Sequence, residues 1–190
     1  MPKPQHHSGY SDRTTEAVRR VLLDLAHLLG PYRDRIVIVG GLAPSLLITD
    51  AEEPHVGTMD IDLALDASGL QDGDAYAHMI ELLEHHGFYR NTTDPELRGF
   101  QLATRVDLKD GGPAVVVEVD LLIPKNVKLK KHRPPLTAGL RTQQMPGIDL
   151  ALQHVVDTPL RGRNRKGQQD PPPSGSPPPK RSWCSKALPC

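Results

Sequence analysis

Cysteine is nearly absent: Cys184 and Cys190 are the two in a chain of 190 residues, and both fall near its C-terminal end. Such a pair builds no disulfide framework and lacks the ligand spacing of a zinc site. No apolar run approaches the length of a membrane-spanning helix, and no charged-then-apolar signal segment opens the chain. The expectation is therefore a cytoplasmic protein with no membrane association. The dinucleotide fingerprint G-x-G-x-x-G is missing as well, which argues against a Rossmann unit. Net charge is zero, but the balance is uneven. Residues 161–190 carry Arg161, Arg163, Arg165, Lys166, Lys180, Arg181 and Lys186 against Asp170 alone, so the remainder is acidic.

What is present centres on residues 36–65, IVIVGGLAPSLLITDAEEPHVGTMDIDLAL. The pattern predicts a buried strand, a double-glycine turn at Gly40-Gly41, a short helix, a loop and a second strand carrying Asp60 and Asp62. Side chains alternate along a strand, so residues two apart share a face and lie about 6–7 Å apart. Asp60 and Asp62 thus stand together, while Ile61, Leu63 and Leu65 turn the other way into a core. Paired carboxylates favour a cation between them, and hard divalent ions take oxygen ligands. The two glycines let the backbone approach a ligand and open a helix whose N–H groups favour phosphate. Ser45 in that first turn could reach the same phosphate, or bond only backbone. Thr58 could support the aspartates from behind. Together these features suggest a nucleoside triphosphate held with its metal.

Val39-Gly40-Gly41, followed after a spacer by Thr58-Met59-Asp60-Ile61-Asp62-Leu63, resembles the h-G-[GS]…D-h-D-h signature of the DNA polymerase β-like nucleotidyltransferase superfamily. Within it, GGLAPSLL and HVGTMDIDL are similar to the minimal nucleotidyltransferases of the AbiEii type, toxins of abortive-infection toxin–antitoxin systems. His55 and Thr58 match that pattern. Val56 stands where an arginine is usual, and the spacer through Ala51-Glu52-Glu53-Pro54 is longer than typical. The resemblance spans roughly residues 36–124, with a fainter echo to about 157. It implies a third acid on a neighbouring strand that completes a metal triad. Asp120, in Val119-Asp120-Leu121-Leu122, fits best, with Glu118 as the rival. It also implies two Mg²⁺ ions held by Asp60, Asp62 and Asp120, nucleotide contacts from Gly40, Gly41, Ser45 and Thr58, an NTP as substrate, and an acceptor that is tRNA or a protein, in a cell that supplies a cognate antitoxin.

The rest of the chain frames this region. Residues 1–10 are polar and predicted loose, with His6-His7 too short for a metal site. Val18, Val21, Leu22, Leu25 and Leu29 recur at helical spacing, predicting a helix over 12–29 with Ser11 or Asp12 as its cap and Gly30-Pro31 as its stop. A second helix is predicted over 71–86, with Tyr76, Met79, Ile80 and Leu83 inward. His78, His85 and His86 lie on its solvated face. Residues 100–108 and 114–123 read as strands joined at Asp110-Gly111-Gly112, a hairpin turn. In the second, Val115, Val117, Val119, Leu121 and Ile123 share one face, and Glu118 and Asp120 the other. The basic run 125–133 (KNVKLKKHR), with Arg98 and Arg105, is a candidate contact for polyanions. A short helix is expected over 148–156.

From residue 159 the composition becomes basic and rich in proline and serine. Without apolar periodicity it predicts a disordered tail in place of the family's further helices. The expected architecture is thus α/β: a small mixed sheet flanked by helices over 11–158, of the nucleotidyltransferase kind. The expected reaction moves a nucleoside monophosphate from an NTP to a hydroxyl. A remnant of the same fold, binding nucleotide or protein without turnover, is the alternative, and the shortened C-terminal part and Val56 favour it.

Overall fold

The computed structural model describes residues 12–47, 58–66, 73–125, 141–160, 162–170 and 182–184. Ser11, His6-His7, His55, Val56 and the 51–54 spacer lie outside them, as do residues 126–133 of the basic run and most of the tail.

Helix α1 (Asp12–Leu28) is followed by a 3-10 turn over Gly30–Arg35 and strand β1 (Ile36–Val39). A 3-10 turn at Gly40–Leu42 leads into α2 (Ala43–Leu47). Then come β2 (Asp60–Leu65), α3 (Gly73–His85), β3 (Gln101–Val106) and β4 (Val115–Pro124). The chain continues through β5 (Gln143–Met145), α4 (Ile148–Gln153) and β6 (Asp157–Pro159). Three short strands follow: β7 (Gly162–Arg163), β8 (Gln169–Asp170) and β9 (Ser182–Cys184).

The central sheet has five strands in the order β1-β2-β4-β3, with β5 also on β4. It is mixed: β2–β4 and β4–β5 are parallel, β1–β2 and β3–β4 antiparallel. The two faces are covered unequally. On one, the apolar stripe of α1 (Val18, Val21, Leu22, Leu25) and Met79, Ile80 and Leu83 of α3 pack on Ile61, Leu63, Val117, Val119 and Leu121. Those strand positions alternate, as the period of a half-covered strand requires. The second face holds a smaller cluster, Val37, Val39, Ala64 and Leu122 beneath Ile148 and Ala151 of α4. Along β2 and β4 that cluster begins only after the acids, so the N-terminal halves of both strands present carboxylates on this face. No helix among the described residues is long and apolar enough to cross a membrane.

Within the tail, residues 162–170 and 182–184 are among those described. Residues 162–170 form a hairpin, β7 against β8, and β9 pairs with β6. Composition tests whether a segment can make its own core, but this one uses an existing one. Arg165 reaches Asp24 of α1 and Thr104 of β3, donates to the His86 carbonyl at 3.0 Å, and sets its guanidinium 4.7 Å from the Phe88 ring centroid.

Candidate metal and nucleotide site

The register of β2 and β4 builds the site. Parallel pairing sets Asp60 opposite Glu118 and Asp62 opposite Asp120. Because each acid is two residues from the next, all four stand on the face that α4 leaves uncovered here. Asp60, Asp62 and Asp120 each offer a carboxylate oxygen within 4.8 Å of the others, and all three are half-buried. Glu118 is not in this group. Its Oε2 instead accepts from Gln101 Nε2 at 3.0 Å.

Two neighbours hold the acids in place. Thr58 Oγ1 donates to Asp60 Oδ1 at 2.6 Å, across the bend that enters β2. Gln101 Nε2 donates to Asp120 Oδ1 at 2.8 Å as well as to Glu118, so one buried amide bridges two acids of β4. Sequence reasoning missed Gln101. A signal for it existed: the hairpin register runs from Val106 opposite Val115 back to Gln101 opposite Asp120. Counting inward from the Asp110-Gly111-Gly112 turn thus places a side chain with two amide protons beside the third acid.

Gly40 has a more specific place than a phosphate turn requires. Its φ is +72°, and a Cβ added there would lie 1.9 Å from Asp62 Oδ2. Any side chain would therefore occupy the space of the carboxylate itself. Val39, just before it, pairs with Asp62, so the end of β1 abuts the site. Gly41 faces Thr58 at ordinary contact distance. Ser45 is exposed, and its hydroxyl donates to the Leu42 carbonyl at 2.7 Å, the backbone-bonding alternative expected of it.

Among the described residues, no histidine joins the three acids. His78 contacts the Tyr32 hydroxyl, and His85 and His86 stack edge to face at the end of α3. Arg98 and Arg105 sit over the rings of Phe100 and Tyr89.

No family profile, curated protein or solved structure matches this chain.

The donor set tests which ion fits. Three carboxylates, with no sulfur or imidazole joining them among the described residues, make a hard oxygen site, suited to Mg²⁺ or Mn²⁺ over Zn²⁺. Oxygens bound to one Mg²⁺ at about 2.1 Å lie at most about 4.2 Å apart, so oxygens within 4.8 Å of one another need at most slight closure. The space that Gly40 leaves at Asp62 serves the same fit.

Proposed function

We propose that this chain is a metal-dependent nucleotidyltransferase, of the DNA polymerase β-like fold and the AbiEii kind that its motifs resemble. The observation that carries the reading is the convergence of Asp60 and Asp62 with Asp120, from a segment nearly sixty residues away, beside a glycine that cannot carry a side chain. Acids two apart on one strand are common. A third acid brought into the same space by parallel register, with dedicated hydrogen-bond donors behind two of the three, is the arrangement a divalent cation and triphosphate call for.

Bound there, Mg²⁺ ions would neutralise the triphosphate and lower the pKa of the attacking hydroxyl. The chain's own residues do the rest. Asp60, braced by Thr58, and Asp62, given room by Gly40, hold the cation-binding edge. Asp120, oriented by Gln101, accepts the proton of the acceptor hydroxyl. That oxygen bonds to the α-phosphorus, the bond from the α-phosphorus to the bridging oxygen breaks, and pyrophosphate leaves. The Gly40-Gly41 backbone contacts phosphate. The acceptor is the hydroxyl of tRNA or of a protein, and the setting a cytoplasmic toxin restrained by an antitoxin.

Purified protein with Mg²⁺, α-labelled NTPs and total tRNA or cell extract tests this. Label should move to a macromolecule, and Asp60→Ala should abolish the transfer while leaving the melting temperature within a few degrees. NTP binding without label on any acceptor would instead support the inactive remnant.

A further inference from the structure

Strand β4 changes neighbours along one edge at the third acid. Strand β3 flanks it from Val115 to Asp120, and β5 flanks it from Leu122 to Pro124. The seam between them is joined by backbone bonds, Leu121 N to the Phe100 carbonyl and Arg141 N to the Gly99 carbonyl. At this seam lies a cavity of about 530 Å³ lined by Asn91, Gly99, Phe100, Arg141 and Thr142. The residue after Phe100 is Gln101, whose amide holds Asp120. One step of the chain thus separates the cavity wall from the acid cluster.

The lining has a distinct chemistry. Phe100 supplies an aromatic ring, backed by the Arg98 guanidinium 6.0 Å from its centroid. Arg141 is exposed and cationic. The Asn91 Oδ1 is buried and has no hydrogen-bond partner among the described residues. A buried acceptor without a donor is costly, and a ligand N–H would relieve it. The volume falls in the range of small-molecule sites.

We propose that this cavity receives the nucleobase of the incoming NTP. The inference rests on the transferase reading above and adds where the base goes and what reads it. The base stacks on Phe100, as bases do on aromatic platforms. Asn91 Oδ1 accepts from an exocyclic amine, which adenine, cytosine and guanine carry and uracil lacks. Arg141 stands at the rim and favours the nucleotide's negative charge. The terminal base of an RNA acceptor has the same chemistry, so the test omits any acceptor.

Calorimetric titration of ATP, CTP, GTP, UTP and inorganic tripolyphosphate, with Ca²⁺ in place of Mg²⁺ to hold back turnover, decides the matter. The three amine-bearing NTPs should bind roughly tenfold tighter than UTP, and UTP tighter than tripolyphosphate by roughly tenfold from stacking. Asn91→Ala should bring the three down to UTP. Phe100→Leu should weaken all four NTPs and leave tripolyphosphate unchanged. Arg141→Ala, at an exposed position that does not endanger the fold, should also weaken the NTPs. If wild type binds NTPs and tripolyphosphate alike, or if all three variants keep wild-type affinities, the base lies elsewhere and the transferase reading stands without it. If wild type binds neither NTPs nor tripolyphosphate, both fall.

Discussion

Gly40 and Gln101 show how much of the site's geometry depends on single residues beside the acids. Gly40→Ala forces a left-handed backbone onto a residue with a Cβ and drives that atom into the Asp62 carboxylate. It should cost roughly 1–3 kcal/mol and remove cation binding, read together by denaturation and Mn²⁺ titration. Gln101→Glu is more informative because its size is nearly unchanged. It replaces a donor to Asp120 and Glu118 by another carboxylate in a buried position. The variant should lose roughly 1–3 kcal/mol without divalent cation and recover much of it in millimolar Mg²⁺, seen as a melting temperature that depends on Mg²⁺ more steeply than in wild type. At this scale the acids were partly legible: strand alternation paired Asp60 with Asp62 and Glu118 with Asp120, and only the family resemblance preferred Asp120 over Glu118 as the third. Gln101 was not, because its role exists only across the β3–β4 ladder. The steric demand at Gly40 was not either, since it comes from Asp62, twenty-two residues further along the chain.

The elements hold together through a few polar clamps besides the apolar core. The tip of the β3–β4 hairpin is tied to the start of α1, with Arg13 Nη2 donating to Asp110 Oδ1 at 2.9 Å and to the Pro113 carbonyl. The hydrogen bond from Arg13, with a backbone bond from Gly112, lowers the Asp110 pKa from 3.8 to about 2. A folded pKa below the unfolded one contributes stability above about pH 4, lost as pH falls toward 2. Asp110→Asn should therefore melt below wild type at pH 6, with the two curves converging near pH 2. The second clamp is Arg165, mostly buried against an equally buried Asp24. Removing one partner of such a pair strands the other, so Arg165→Ala should cost roughly 2–4 kcal/mol in urea denaturation. The helix stripe of α1, the inward face of α3 and the hairpin turn could all be read from periodicity and turn chemistry. The 162–170 hairpin could not. Its place comes from one arginine finding a carboxylate on a helix some 140 residues earlier in the chain, and a composition rich in arginine, proline and polar residues carries no trace of that.

Across the whole molecule, the unequal dressing of the sheet links fold to function. Two long helices seal one face, while the six-residue α4 covers only part of the other. The part that α4 does not reach is where the parallel β2–β4 pair aligns its acids. The α/β class was legible in the predicted strands and helices, and the mixed sheet came with the family resemblance. The crossing of β4 between β2 and β3, and the short β5 beside it, required the three-dimensional arrangement, because a three-residue strand has no pattern of its own. On the proposed reading, Asp60, Asp62 and Asp120 together hold a divalent cation. The most direct test is Mn²⁺ titration followed by electron paramagnetic resonance, on wild type and on Asp62→Asn and Asp120→Asn. Saturable Mn²⁺ binding in wild type, displaced by Mg²⁺ and lost in both variants with their folded spectra intact, is the predicted result. Wild type that leaves Mn²⁺ free in solution, or variants that bind it as well as wild type, would contradict the account.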